Sequence, residues 1–313
     1  LRDADMGPEY LTLGEALAQE LLTVTEVSAG GSVPELKVRN EAAIPVLILD
    51  GEELRGAKQN RVVNTTILIK EKSEMPLPVS CTEQGRWRYT SDKFTDSNVV
   101  MARKARSKKS RSVSHSLRSY ESYRGDQGEV WEDVEELQSQ SQVHSPTGAM
   151  SDVFESRAGS LREWMAAFPV QPNQCGLALL WREQVMGLDL LSRRPAYAQL
   201  HERLLKSYLI DLMNNAEGPA AMKAADSFQA FLEKLPGLEE RNFPSQGLGE
   251  DFRYESPALC GSALVYDEAC IHAAYFHEER GTRQRADTDS QLRDLPSFMQ
   301  RRRYHRGGGR DSE

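Results

Sequence analysis

The stretch Ile44–Ile69, IPVLILDGEELRGAKQNRVVNTTILI, decides how this chain is to be read. Val46 to Leu49 is a continuous apolar run, the pattern of a strand covered on both faces. Val62 to Ile69 is β-rich and reads as another strand. Between them Asp50 to Arg61 packs acids, amides, arginines and a lysine around two glycines. The plain reading is a solvated turn with its acids paired to Lys58 and the arginines. The sharper reading is a site, because a buried strand ending in a glycine turn projects polar groups from a rigid base.

A phosphate-loop reading of Gly51, Gly56 and Lys58 fails. Ala57 displaces the lysine, Gln59 stands where a magnesium-binding hydroxyl is needed, and Glu52 and Glu53 would face a polyphosphate. The residues offer other chemistry. Glu52 and Glu53 can bind a divalent metal ion, accept ribose hydroxyls or activate water. Lys58 and Arg61 can hold an anion, and Gln59 and Asn60 can read amide or hydroxyl edges. If Lys58 to Arg61 is extended, Lys58 and Asn60 face one way and Gln59 and Arg61 the other. All four then serve one ligand only where the backbone bends.

A second polar cluster, VSCTEQGRWRYT (Val79–Thr90), also follows a strand, LPVSC. Here Glu83 is a further candidate carboxylate. Gln84 and Arg86 are candidate ligand contacts, and Trp87 can stack on a base. Cys81 reads as a buried structural thiol, since no histidine stands near it in sequence to activate it. A third feature is the acid-free run Arg103–Arg118, RKARSKKSRSVSHSLR, which would suit a protein or RNA partner but more often is a solvated helix face. CIHAAYFHEE (Cys270–Glu279) lacks the spacing of a zinc site. Asp189, a carboxylate inside an apolar run, calls for an arginine partner.

Working outward, Thr12 and Glu15 have capping-box spacing at the start of a helix, and a strand follows from about Leu21. Glu35 to Glu41 alternates like a strand. Val99 to Ser119 reads as a serine-rich helix with a thin apolar stripe, and Asp126 to Leu137 as a helix capped by Asp126. Gln138 to Gly148 reads as a loop, and Ser151 to Phe168 as one helix stopping before Pro169. Gly176 to Leu191 reads as a hairpin turning at Arg182 to Gln184. Tyr197, Leu200, Leu204, Tyr208 and Leu212 form a helical stripe, and Ala224, Phe228, Phe231 and Leu235 another. Glu250 to Phe276 reads as two or three strands. Strands come in groups with helices between them, so the expected class is α+β, with largely antiparallel sheets and helices inserted between strand groups. The expected organisation is a single domain over 1–278, with a strand-rich part 10–97, a helical middle 98–168 and a mixed part 170–278. A disordered tail is expected over 279–313.

At 313 residues the chain can bury one large core or two modest ones. Its net charge of −8 opposes general coating of nucleic acid. Four dispersed cysteines give no disulfide framework. No run approaches the ~20 apolar residues of a membrane span, and the first residues have no signal-peptide core. These features read as cytoplasmic, with reduced thiols and no membrane contact.

Several of these segments together carry a resemblance: YLTLGEALAQELLTVTEVSAGGSVPELKVRN, PVLILDGEELRGAKQNRVVNTTILI, LPVSCTEQGRWRY, DQGEVW, SPTGAMSDVFE, MGLDLL and LLKSYLIDLM. The chain resembles the ARG-and-rhodanese-phosphatase-associated protein family, a prokaryotic family named for its gene neighbours, ADP-ribosylglycohydrolases and rhodanese-linked phosphatases. The likeness spans Tyr10 to His277. It implies a context of ADP-ribose- or NAD-derived nucleotides in stress or conflict systems, and it implies no mechanism. By motif it draws attention to Glu52, Glu53, Gly56 and Lys58 to Arg61, then to Glu83 to Trp87, as one shared cleft. The leading expectation is a nucleotide-handling domain, with Glu52 or Glu53 as base or metal ligand, Lys58, Arg61 and Arg86 on phosphates and Trp87 on the base. The alternative is a non-catalytic adaptor contacting a protein or RNA through Arg103–Arg118. A nuclease reading is weaker, since the acids form no recognisable two-metal set.

Overall fold

The computed structural model describes residues 5, 7–28, 30–181, 184–215 and 224–277. The tail expected after 278 lies outside the described residues, as does most of the hairpin turn expected at 182–184.

Short β1 (Leu11–Thr12) runs into α1 (Leu13–Ala18). The capping box forms as the spacing predicts: the Glu15 N–H donates to Thr12 Oγ1 at 3.3 Å and the Thr12 N–H to Glu15 Oε2 at 2.9 Å. The chain continues through β2 (Leu22–Glu26), β3 (Glu35–Asn40), β4 (Val46–Ile48), β5 (Glu52–Gly56), β6 (Arg61–Val63), β7 (Ile67–Ile69), β8 (Ser73–Cys81) and β9 (Phe94–Val100). Four helices follow: α2 (Arg103–Tyr120), α3 (Gln127–Gln140), α4 (Ser151–Ser156) and α5 (Ala158–Met165). Then come β10 (Gly176–Trp181), β11 (Gln184–Leu191), α6 (Arg194–Asn215), α7 (Ala224–Leu232) and a 3-10 turn (Leu235–Gly237). The last strands are β12 (Glu239–Pro244), β13 (Glu250–Glu255), β14 (Leu259–Tyr266) and β15 (Ala269–His277).

The strands make three sheets, and the class is α+β as expected. A small sheet has the order β1-β4-β7, with β1 parallel to β4 and β4 antiparallel to β7, Val46 opposite Ile69. One six-stranded antiparallel sheet has the order β2-β3-β8-β6-β5-β9, the other β10-β11-β15-β14-β13-β12. The described residues all fall in one compact unit.

The small sheet explains the unbroken apolar run at Val46–Leu49. Val46 and Ile48 pack with Leu54, Val63 and Leu77 of the first six-stranded sheet. Leu47 and Leu49 face the other way, among Tyr197 and Leu200 of α6 and Ile271 of β15. Both faces are covered, so alternation would have left polar groups buried.

Three sequence expectations need correction. Asp50–Arg61 is not a turn between two strands of one sheet: it contains β5 and opens β6, a hairpin in the neighbouring sheet. The helix expected from Val99 begins at Arg103, because Val99 and Val100 finish β9. The single helix over 151–168 is two, interrupted at Arg157 (φ −95°, ψ 7°), whose guanidinium reaches the Ser141 carbonyl. β12, for its part, is a largely exposed edge strand whose charges face solvent.

Candidate functional site

Between β4 and β7 the chain leaves the small sheet, makes the β5–β6 hairpin and returns. Gly51 opens this excursion at φ +87°, and a Cβ there would lie 2.8 Å from Arg106 Cδ. Gly56 closes β5 at φ +125°, where a Cβ would lie 2.5 Å from Ser91 Oγ and 3.0 Å from the Lys93 carbonyl oxygen. Only glycine meets both demands. Ala57 then takes φ +40°, so the segment bends instead of continuing as a strand. Beyond that bend Lys58 and Arg61 both reach Trp87, and Asn60 turns to Arg86.

Glu52 and Glu53 are completely buried. Glu52 accepts from Arg203 Nη1 at 2.7 Å and from the Leu49 N–H at 2.8 Å. Arg203 also holds Asp96, at 3.1 and 2.8 Å. Glu53 accepts from Thr82 Oγ1 at 2.7 Å, and its Oε2 has no hydrogen-bond partner among the described residues. Burial pushes both carboxyls up to about 7, opposed by Arg203 at Glu52 and by the Thr82 and Ser97 hydroxyls at Glu53. Successive strand residues point to opposite faces, which sends these two acids to different partners. Neither faces a cleft, which corrects the expectation that they lie open to a substrate.

Arg86 rivets the two polar segments together. Its Nε donates to Glu83 Oε1 at 2.8 Å, Nη1 to the Ala57 carbonyl at 2.7 Å and the Arg88 carbonyl at 3.0 Å, and Nη2 to Asn60 Oδ1 at 3.1 Å. Nη2 also pairs with Glu83 Oε2 at 2.6 Å. With its donors committed to the chain, Arg86 has none left for a phosphate. Glu83 accepts in addition from Thr147 Oγ1 at 2.8 Å and the Asn60 N–H at 3.1 Å. Burial alone would raise Glu83, but Arg86, Thr147 and the Asn60 N–H hold it below its ordinary value. Gln84 lies beside this lock, exposed.

At the outer end of the same turn the side chains are less committed. Arg61 is completely buried and, among the described residues, gives one hydrogen bond, from Nη1 to Gln59 Oε1 at 3.0 Å. Its Nε and Nη2 have no hydrogen-bond partner among the described residues, and neither has Oε2 of the buried Glu26. The two charges stand 3.7 Å apart, Nη2 to Oε1. Above them Trp87 is 48 % exposed, with Arg61 Cζ 5.6 Å from its ring centre and Lys58 Nζ 5.2 Å. Lys58 Nζ is also 5.2 Å from the half-exposed Tyr89 ring and donates to the Gly30 carbonyl at 2.6 Å. Cys81 sits opposite Arg61 in the sheet, and burial pushes its thiol up to about 11, which suits a structural thiol and not a nucleophile.

The basic run Arg103–Arg118 turns inward. Arg106 donates to Asp189 at 3.1 and 2.8 Å, and Asp189 also accepts from Tyr208 at 2.6 Å and pairs with His272 at 3.1 Å. Lys109 binds Asp50 and the Val63 and Asn64 carbonyls, the last two at 3.0 Å. Lys104 and Lys108 pair with Glu136 and Asp133 of α3, and Arg118 with Glu255. Burial alone would raise Asp189, but Arg106 and His272 hold it well below the usual carboxylate range. Asp189 thus has the arginine its surroundings called for. The run is not the open basic face that an RNA or protein contact through Arg103–Arg118 requires, because its charges are spent within the fold.

Among the described residues no three His, Cys, Asp or Glu side chains gather so as to hold a metal ion. Two shallow depressions, one beside Arg118 and Arg241 and one beside Lys104 and Asp133, each have room for about one water. No disulfide joins any of the four cysteines, and no described helix is long and apolar enough to cross a membrane.

Glu26 escaped the sequence reading. It ends β2 as an ordinary threonine-flanked acid, and only the pairing of β2, β3, β8 and β6 brings it near Arg61. Its one signal was a charged side chain at an inward position of an alternating strand.

Against known proteins, the family model described as the ARG and Rhodanese-Phosphatase-superfamily-associated Protein domain matches residues 1–276. No curated protein and no solved structure matches.

Proposed function

The chain belongs to the ARG and Rhodanese-Phosphatase-superfamily-associated Protein family, and on that premise we propose that it binds an ADP-ribose- or NAD-derived nucleotide without hydrolysing it. The binding place in this reading is the corner formed by Lys58, Gln59, Arg61 and Trp87. Lys58 receives phosphate charge, Trp87 and Tyr89 offer aromatic faces, and Gln59 and Gln84 supply polar contacts at the floor and rim. Glu52, Glu53, Glu83, Asn60 and Arg86 form the frame that holds the turn.

The observation that carries this reading is the buried Arg61 with two nitrogens lacking hydrogen-bond partners among the described residues, directly under a half-exposed tryptophan. A buried guanidinium left short of acceptors is costly, and a ligand that supplies them gains what the fold forgoes. Hydrolysis is disfavoured because each candidate base is sealed inside or bonded to the chain.

Isothermal titration with ADP-ribose, NAD and mononucleotides, with and without magnesium, tests the proposal. Binding to the wild type, weakened about tenfold or more in Trp87→Ala and accompanied by no product, is the expected result. Silence across the panel overturns it, and turnover abolished by Glu53→Gln overturns its non-hydrolytic part. A second reading, a partner-binding module, draws support from Trp164, Phe168 and Val170, exposed by 37 %, 53 % and 43 % along one short stretch.

A further inference from the structure

Resting on that nucleotide reading, we infer that Glu26 and Arg61 read the donor–acceptor edge of the ligand's base, and that the edge is of the adenine type. The two side chains leave complementary groups open: an acceptor, Glu26 Oε2, beside donors, Arg61 Nε and Nη2. Oε1 is turned to the Lys58 N–H at 3.4 Å and to Arg61 Nη2 at 3.7 Å, which fixes which oxygen remains. A phosphate is a poor match, since it accepts at every oxygen and would meet a carboxylate. A neutral ring edge that gives one N–H and takes one is the complement. An exocyclic amine next to a ring nitrogen does this: the amine donates to Glu26 Oε2 and the ring nitrogen accepts from Arg61.

Gly31 and Trp87 place that edge. A Cβ on Gly31 would lie 3.4 Å from Glu26 Oε2, 3.4 Å from Trp87 Cζ2 and 3.1 Å from Lys58 Cδ, so the acceptor, the indole and the lysine border the same space. Trp87 covers the pair at present, and its 48 % exposure on the connection after β8 leaves it room to swing outward and then lie against an incoming ring. Glu26 becomes a specificity-determining residue, and Lys58, on the rim, takes the charged remainder of the ligand.

The test compares adenosine monophosphate with purine riboside monophosphate, which lacks only the amine, by isothermal titration on the full chain. The wild type is expected to prefer the amine-bearing ligand by roughly ten- to hundredfold. In Glu26→Gln the side-chain carbonyl stays on the Lys58 N–H and an NH2 stands where Oε2 was. A donor then faces a donor, and the preference disappears, whatever the thermal midpoint loses because Arg61 no longer has a carboxylate beside it. Equal binding of the two ligands by the wild type, a comparison needing no variant, overturns the inference, as does a preference that persists in Glu26→Gln. If no nucleotide binds at all, the nucleotide reading itself has failed; if nucleotides bind without regard to the amine, only the role of Glu26 has.

Discussion

Two groups of buried charge in this molecule are built from the same residue types and finished differently. Around Asp189, both carboxylate oxygens are engaged by Arg106, and Tyr208 and His272 complete the set. Around Glu26, the arginine and the carboxylate lie 3.7 Å apart and keep nitrogens and an oxygen without hydrogen-bond partners among the described residues. The first lies between α2, α6 and the C-terminal sheet; the second lies under a tryptophan that meets solvent. Composition does not separate a structural network from a binding place. What differs is the carboxylate: Asp189 is satisfied from within and Glu26 Oε2 is not, although Arg106 Nε, like two nitrogens of Arg61, also lacks a hydrogen-bond partner among the described residues.

That contrast predicts a steep difference in tolerance. Asp189→Leu strips the fully buried Arg106 of its main partner, and stability should fall by about 3–5 kcal/mol in denaturant titration. A loss under about 1 kcal/mol would erase the difference between the two groups. Glu53 stands between the two extremes. Burial holds its folded value at about 7 against an ordinary 4.5, so between those values the folded chain keeps a proton that the unfolded chain has lost. Stability therefore falls as pH rises from about 4.5 to about 7. Glu53→Gln should flatten that slope and raise stability at pH 8 by up to about 3 kcal/mol, read from denaturation midpoints across pH. Smallest is the outer pair: replacing both charges at once, Glu26→Met with Arg61→Met, should change stability by no more than about 1 kcal/mol. A loss as large as that of Asp189→Leu would make the corner structural.

The features legible in sequence are those whose causes are local. The Thr12–Glu15 box, the hairpin of Gly176–Leu191 and the Tyr197–Leu212 stripe each declare themselves within a few residues. The family resemblance was legible too, and the match over 1–276 bears it out. What was hidden depends on distant partners. β5 looks like a turn because acids disfavour a sheet interior, and the residue that answers Glu52, Arg203, lies 151 positions on. The basic helix looks solvated because Asp189, the acid that draws Arg106 inward, is 83 positions away. The two polar segments meet in a lock at Arg86, with Lys58, Trp87 and Tyr89 at its edge, a geometry that their separate positions in sequence do not show.

Gly51 constrains descent as well as shape. Two unrelated demands fall on it, a left-handed backbone at φ +87° and the stem of Arg106 pressed against the place a methyl group would fill. A lineage that shortened Arg106 would lift one demand and still be held by the other, and a lineage that replaced Gly51 first would meet both at once. Drift at position 51 is closed from either direction, so the corner where the hairpin departs is a point from which this architecture cannot be altered in single steps.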